Sequence, residues 1–206
     1  MRFSARPTLI LCTALAVYTP SASADLLTYQ FSGMVNTSEA TGIPVGSPIS
    51  VTLLYDNAAP TTGGGPNYKS FRTTVGGIHA ETAGAVFQTG TRLDMETNHG
   101  VGFIGWPGVP NATYDFLDLM GVDSTRHLVI FMDLLDADQS VFASSRDLPA
   151  VLPMPEFESV FFGAYELENG SGKRITGLLT AVPDPSGALL LLTVAGLSAL
   201  AVGRRS

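Results

Sequence analysis

Three neighbouring aspartates form the densest group of candidate ligand atoms in this chain. Asp133, Asp136 and Asp138 fall in the segment Asp-Leu-Leu-Asp-Ala-Asp, which predicts several carboxylates at one end of a strand. Calcium takes roughly six to eight oxygen ligands, and clustered aspartates supply them in many proteins. The segment lacks the glycine and the distal glutamate of a helix–loop–helix calcium loop. A solvated strand end is therefore the alternative interpretation.

Other residues offer less local support for chemistry. His79 and Glu81 are two positions apart, which places both on one face of a strand and supplies half of a zinc site. No spacing joins the other two histidines, His99 and His127, to that pair. The run Gly63-Gly64-Gly65 is followed by proline and lacks the Lys-Ser/Thr of a phosphate-binding loop, so it predicts a flexible loop. We expect no bound cofactor.

The sequence contains no motif for nucleophilic catalysis. It contains no Gly-x-Ser-x-Gly segment, and its single cysteine, Cys12, lies near the N-terminus. The approach of two carboxylates, which glycoside hydrolysis requires, is a tertiary property that no local spacing reveals. We therefore expect a protein that is not an enzyme, with a secreted hydrolase as an alternative.

Carbohydrate binding is a further alternative, because the chain has a single tryptophan placed beside a proline. Trp106 precedes Pro107 in a turn-rich segment, where its ring is able to stack on a sugar. Tyr68 and Tyr114 are candidate partners for it. The other interpretation is that Trp106 anchors a loop or packs in a core.

The net charge of the chain disfavours nucleic acid as a partner. The formal charge is −7 at pH 7, and four of the arginines lie in the two ends of the chain, so the body between the ends is more acidic still. An acidic surface repels phosphate backbones, whereas it suits a soluble extracellular protein or one that takes up cations.

The N-terminal segment has the order of a secretory signal peptide. Arg2 and Arg6 precede an apolar stretch from Leu9 to Val17, and the small residues Ala22 and Ala24 stand before Asp25. We predict that residues 1–24 are a signal peptide cleaved after Ala24. Because Cys12 leaves with that peptide, the exported product would contain neither disulfides nor thiols.

The C-terminal segment has three parts in a fixed order. The stiff sequence Val182-Pro183-Asp184-Pro185-Ser186 is followed by an uncharged apolar run and then by Arg204 and Arg205. The run at residues 187–203 is about 25 Å long as a helix, which is at the short limit for crossing a bilayer. Positive charge beside a span stays cytoplasmic, so the body of the chain would lie on the other side of the membrane.

A signal peptide combined with this three-part tail resembles the PEP-CTERM sorting arrangement of bacteria. The resemblance rests on residues 182–206, and it departs from the usual pattern in one position, since Asp184 replaces the usual glutamate. It implies that the chain is handled by signal peptidase and by an inner-membrane exosortase that recognises the tail and cleaves near the Pro-x-Pro element. In Gram-negative bacteria with this system, sorted proteins are associated with exopolysaccharide production.

Residues 25–181 read as a β domain. Apolar and polar residues alternate with period two in several short runs, and the uniformly apolar run 127–135 predicts a central strand buried on both faces. Segments rich in glycine and proline, such as 57–67 and 137–156, predict connections. The sequence therefore predicts an all-β fold, a single antiparallel β-sandwich of jelly-roll type.

These observations together predict a destination more directly than a chemistry. We expect an exported protein that is held transiently in the inner membrane and then delivered to the cell envelope or the extracellular matrix. A structural or adhesive role in exopolysaccharide or biofilm is the first expectation. A carbohydrate- or calcium-binding module is the alternative.

Overall fold

The computed structural model describes residues 26–90, 92–103, 109–124, 127–166 and 174–182. Eleven strands are described: β1 (Leu26–Ser38), β2 (Pro48–Asp56), β3 (Thr61–Gly64), β4 (Tyr68–Thr73), β5 (Gly77–Thr82), β6 (Ala85–Gln88), β7 (Leu93–Phe103), β8 (Ala112–Asp123), β9 (Leu128–Asp136), β10 (Ser159–Glu166) and β11 (Ile175–Ala181). A 3-10 turn, Met154–Glu156, lies in the connection before β10. The prediction of an all-β fold is confirmed.

All eleven strands of the described ranges belong to one antiparallel sheet. Their order is β3-β4-β7-β8-β9-β10-β11-β1-β2-β5-β6. The jelly-roll sandwich predicted from the sequence divides its strands between two sheets, and this division is not observed. The reason lies in β1, whose 13 residues pair with β11 on one side and with β2 on the other, so that the ladder continues through it.

The sheet folds over one large apolar core. Alternate residues of β1, β2 and β5 point inward towards the inward residues of β7 to β10. Phe87 of β6 packs edge-to-face against Phe162 of β10, with 6.3 Å between the ring centroids, although four strands separate β10 from β6 in the sheet order. The Gly90 N–H donates to the Val122 carbonyl at 2.8 Å, which joins the end of β6 to the end of β8.

Strand β9 shows the burial expected of a central strand. Every residue from Leu128 to Asp136 is buried, as the uniformly apolar run predicted. The outward residues are covered by a second cluster on the outer face, formed by Phe103, Val109, Tyr114, Phe131, Leu135 and Phe161. Gly163 makes room for it, because a Cβ there would lie 2.1 Å from the Phe131 ring.

Two sequence predictions about connections have different outcomes. Residues 137–153 carry no strand, so this part of the predicted connection is confirmed. The predicted loop at 57–67 is wrong in part, because Thr61–Gly64 forms the edge strand β3 against β4. Its residues are exposed, so the period of apolar residues could not reveal a strand.

Both targeting segments lie outside the described residues. These are the signal peptide at 1–24, with Ala22, Ala24 and Asp25 beside its cleavage position, and the sorting tail beyond Val182. Among the residues that the structure describes, no helix has the length and apolar character needed to cross a bilayer. The predicted span at 187–203 falls outside that part of the chain.

Candidate functional site

The three candidate aspartates do not form one cluster. Asp136 and Asp138 come together with Glu158, and their carboxylate oxygens lie within 4.8 Å of one another. Asp133 lies three residues before Asp136 in β9, so its side chain points to the opposite face of the sheet. Asp133 therefore does not share a site with Asp136 and Asp138.

Asp136 is the anchor of the loop that follows β9. Its fully buried carboxylate accepts backbone N–H groups from Asp138 at 3.1 Å, from Gln139 at 3.2 Å, and from Ser140 and Val141 at 2.8 Å each. Burial raises the pKa of Asp136, while the hydrogen bond from Val141 opposes the rise. Because the carboxylate oxygens already accept these hydrogens, this geometry favours a structural role over calcium binding.

A second buried carboxylate lies directly opposite Asp136 in the neighbouring strand. Asp115 of β8 is fully buried and accepts hydrogen bonds from His99 Nδ1 at 2.7 Å, from Gly100 N–H at 2.9 Å and from Phe142 N–H at 2.8 Å. The register of β7 against β8 shifts between Asn98 and Val101, which forms a bulge. The two aspartates together tie this bulge and the loop after β9 to the end of the sheet. His99 therefore has a structural partner.

His79 and Glu81 contact each other, as their spacing on one face of a strand predicted. His79 Nε2 lies 2.9 Å from Glu81 Oε1 on the exposed side of β5. The cluster of metal-ligating side chains found in the described ranges contains carboxylates and no histidine. A zinc site that includes His79 therefore has no further ligand among those residues.

A row of three carboxylates crosses the outer face of the sheet. Glu96 of β7 lies directly opposite Asp118 of β8, and Asp118 lies directly opposite Asp133 of β9. Opposite residues in adjacent strands have Cβ atoms about 5 Å apart, so these side chains are in contact range. Ser70 of β4 extends the row, because its hydroxyl donates to Glu96 Oε2 at 2.9 Å.

One proton is shared within this row. Burial raises the pKa of Asp133 to about 8, and the negative charge of Asp118 adds to the rise. Burial and the charge of Glu96 raise the pKa of Asp118 to about 6, whereas the hydrogen bond from Asp133 lowers it. The Asp133 O–H therefore donates to the Asp118 carboxylate near neutral pH. In the neighbouring strand β10, the residue directly opposite Asp133 is Phe161, which brings no compensating charge.

An open groove of about 460 Å³ lies beside the acidic row, over β3, β4, β7 and β8. Its polar floor includes Ser70, Glu96 and Asp118, and its walls include Tyr68 and Met120, each 41% exposed. Hydroxyl and carboxylate oxygens beside an exposed ring are the groups that bind sugars: the oxygens bond to hydroxyls, and the ring stacks on C–H faces.

Ion pairs fix the charged side of this groove. Arg72 Nε lies 2.6 Å from Asp94 Oδ1, and Arg92 also contacts Asp94, with 2.8 Å between Nη2 and Oδ2. Burial alone would raise the pKa of Asp94, but the hydrogen bonds from the two arginines lower it. Both oxygens of the Asp94 carboxylate are therefore paired with arginines. Glu96 and Asp118 remain as the acidic groups of the groove floor.

The aromatic residues predicted for sugar binding have separate positions. Trp106 lies outside the described residues. Tyr114 is buried in the outer cluster and donates its hydroxyl to the Pro110 carbonyl at 3.0 Å, so its ring is not available for stacking. Tyr68 lines the groove and presents an exposed ring. Its place beside Glu96 and Asp118 arises from strand register, for which the sequence contains no local signal.

The sorting residues meet the described body at Val182. Its N–H donates to the Gln30 carbonyl at 2.8 Å, one pair beyond the end of β11. Comparisons of this chain with models of protein families, with curated proteins and with solved structures found no match.

Proposed function

We propose that this chain is an exported bacterial protein whose β domain reaches the cell envelope or the extracellular polysaccharide matrix through an exosortase-type sorting system. Signal peptidase would remove residues 1–24, and the apolar segment at 187–203 would hold the protein in the inner membrane until the tail is processed. In the matrix, the domain would have a structural or adhesive role without catalysis.

The position of the first and last strands carries this proposal. Strands β1 and β11 are antiparallel neighbours, with Phe31 directly opposite Ala181, so the start of β1 and the end of β11 lie at the same end of the sheet. The predicted cleavage position after Ala24 and the sorting motif that begins at Val182 therefore leave the body side by side. This arrangement suits a domain with both ends in one membrane. We further propose sandwich-like packing, because the sheet folds over a shared core.

The acidic row supports a non-catalytic role. Glycoside hydrolysis uses two carboxyl groups about 5 Å or more apart, which leaves room for the sugar or for water between them. Asp118 and Asp133 instead hydrogen-bond to each other, and Asp133 is only 5% exposed. A substrate therefore has no space between these two groups.

We expect the mature protein to lack both ends when it is made in a host that has an exosortase. Intact mass spectrometry of the exported protein measures this directly. Asp184→Ala removes the carboxylate between the prolines and should leave the tail attached, whereas Asp184→Glu keeps the carboxylate and should be processed. Full-length wild-type chain that accumulates uncut in the cytosol would contradict the proposal.

Carbohydrate binding in the groove is the second candidate function, and the exposed Tyr68 ring above a polar floor favours it. We expect Tyr68→Ala to weaken co-sedimentation with the exopolysaccharide of the producing cells about fivefold to tenfold, because a stacking face is worth about 1 kcal/mol. Tyr165→Ala is the matched control, since Tyr165 is 37% exposed on another strand and does not line the groove. Equal loss in both variants would reject the groove as the binding site.

A further inference from the structure

Strand β1 has an open backbone edge next to the end of β11. On one side, β1 pairs with β2 as far as Leu26, which lies opposite Asp56. On the other side, the pairing with β11 stops at Phe31, and one further bond joins Val182 N–H to the Gln30 carbonyl. Among the described residues, no strand pairs with Leu26–Tyr29 on that side.

The register predicts what the next residues of the chain would meet along this edge. The peptide groups of an antiparallel strand point alternately to its two sides, so hydrogen-bonded pairs recur at every second residue. Because Val182 bonds to Gln30, the next bonding position pairs residue 184 with Thr28, and the one after pairs residue 186 with Leu26. Residues 183 and 185 fall between these positions, where the ladder needs no N–H from them.

The spacing of the prolines matches this requirement. Pro183 and Pro185 have no N–H, and if the register of β11 continued, both would fall at positions whose N–H would point away from β1. Asp184 and Ser186 have the N–H groups that the ladder needs. A shift of the prolines by one residue would remove both of these donors.

A groove of about 650 Å³ lies along the same edge. It is lined by Leu26 to Gln30, by Val151 and Met154 of the connection before β10, and by Ala181 and Val182. Leu26, Val151 and Val182 are 43%, 65% and 40% exposed, so much of this apolar surface is uncovered. Four extended residues span about 13 Å, which is also the length of the open edge from Gln30 to Leu26.

Side-chain alternation assigns each residue of the motif to a face. Directly opposite residues of paired strands share a face, so Pro183 would lie on the side of Tyr29 and Pro185 on the side of Leu27. Leu27 and Tyr29 are half-buried and pack against the core. Asp184 would lie on the side of the exposed Thr28. Apolar rings would therefore cover the groove, and the carboxylate would face solvent.

We propose that residues 183–186 continue β11 along the open edge of β1 and fill this groove. The folded body then holds the same residues that the sorting enzyme would read, so cleavage requires the motif to detach from the edge first. The contact itself follows from register and groove shape, whereas its consequence for cleavage rests on the proposed function.

Disulfide trapping in the full chain tests the contact. In a Cys12→Ser background, Thr28→Cys combined with Asp184→Cys should crosslink, because a hydrogen-bonded pair has about 5.5 Å between Cα atoms and disulfides span about 4.4–6.8 Å. Ser32→Cys with Asp184→Cys is the matched control, with its cysteine about 13 Å further along the exposed face of β1. We expect at least tenfold more crosslinking in the first variant, measured as the loss of free thiols. Equal or absent crosslinking overturns the proposal.

Processing rates separate this contact from the sorting function. Thr28→Pro removes the N–H that points to the open edge and leaves the pairing with β2 in place, so it should raise the cleaved fraction at least twofold. Thr28→Ala keeps the N–H and should not change it. If the crosslink forms but the wild-type tail is never cleaved, the sorting function fails and the contact stands. If the crosslink forms and Thr28→Pro leaves cleavage unchanged, the consequence for cleavage is overturned.

Discussion

Replacing Asp133 with asparagine will make the domain more stable at neutral and alkaline pH, by about 1–3 kcal/mol near pH 8 to 9. In the wild-type protein, the Asp133 proton bridges to Asp118, and burial raises the pKa of Asp133 to about 8. An asparagine supplies a permanent N–H donor to the Asp118 carboxylate in place of that proton. Urea unfolding at a series of pH values measures the difference.

The direction of the pH dependence follows from proton linkage. Between about pH 4 and pH 8, the folded protein holds a proton on Asp133 that the unfolded chain releases. The stability contributed by this group is therefore complete below about pH 4 and is lost as the pH rises towards 8. Asp133→Asn has no proton to lose, so its advantage should grow across that window and then level off.

Asp147→Asn is the control for this experiment. It also removes one negative charge, but Asp147 is exposed, and hydrogen bonds from Lys69 and Ser145 lower its pKa. This variant should gain no stability at alkaline pH. If Asp133→Asn shows the same pH slope as the wild-type protein, the shared proton is not where the structure places it.

Replacing Asp136 with alanine will destabilise the domain by about 3 kcal/mol or more. The substitution removes the acceptor shared by four backbone N–H groups of residues 138–141, and of these the Ser140 N–H keeps a second acceptor in Asp138. It also releases the loop that carries Phe142, a fully buried core residue. The free energy of unfolding from urea titration, together with faster amide exchange in residues 137–142, measures the effect.

Asp138→Ala is the matched control in the same loop. Asp138 belongs to the same group of three carboxylates, but it is exposed and accepts a backbone hydrogen bond from the Ser140 N–H, at 3.1 Å. If the group binds a cation, both variants should lose the same cation-dependent stabilisation. If Asp136 is a loop anchor, only Asp136→Ala should lose much stability, and added calcium should not change the difference.

The fold class was predictable because burial leaves a periodic trace in the sequence. The apolar run at 127–135 predicted a strand buried on both faces, and β9 is buried throughout. The single continuous sheet was not predictable, because it depends on β1 pairing along both of its sides with strands far away in sequence. Alternation shows which residues face a core, but not which strand lies beside which.

The candidate sites show the same limit. Alternation alone separates Asp133 from Asp136, because an odd spacing in a strand places side chains on opposite faces. The partners of these residues could not be found in this way. Glu158 lies directly before β10 and comes close to Asp136 only in the folded sheet. The row formed by Glu96, Asp118 and Asp133 depends on the registers of two strand pairs.

The adjacency of β1 and β11 also determines how the domain responds to mechanical force. If the two ends of the body are pulled apart, tension acts across the β1–β11 ladder from the end where both strands leave the sheet. The hydrogen bonds would then open one pair at a time, as in unzipping, instead of sharing the load in shear. Tension applied between the C-terminal end and a distant strand such as β4 crosses each ladder between them in turn, so every ladder carries the whole load. A protein that adheres through β4 while tethered by its tail would therefore yield first at the weakest of these ladders.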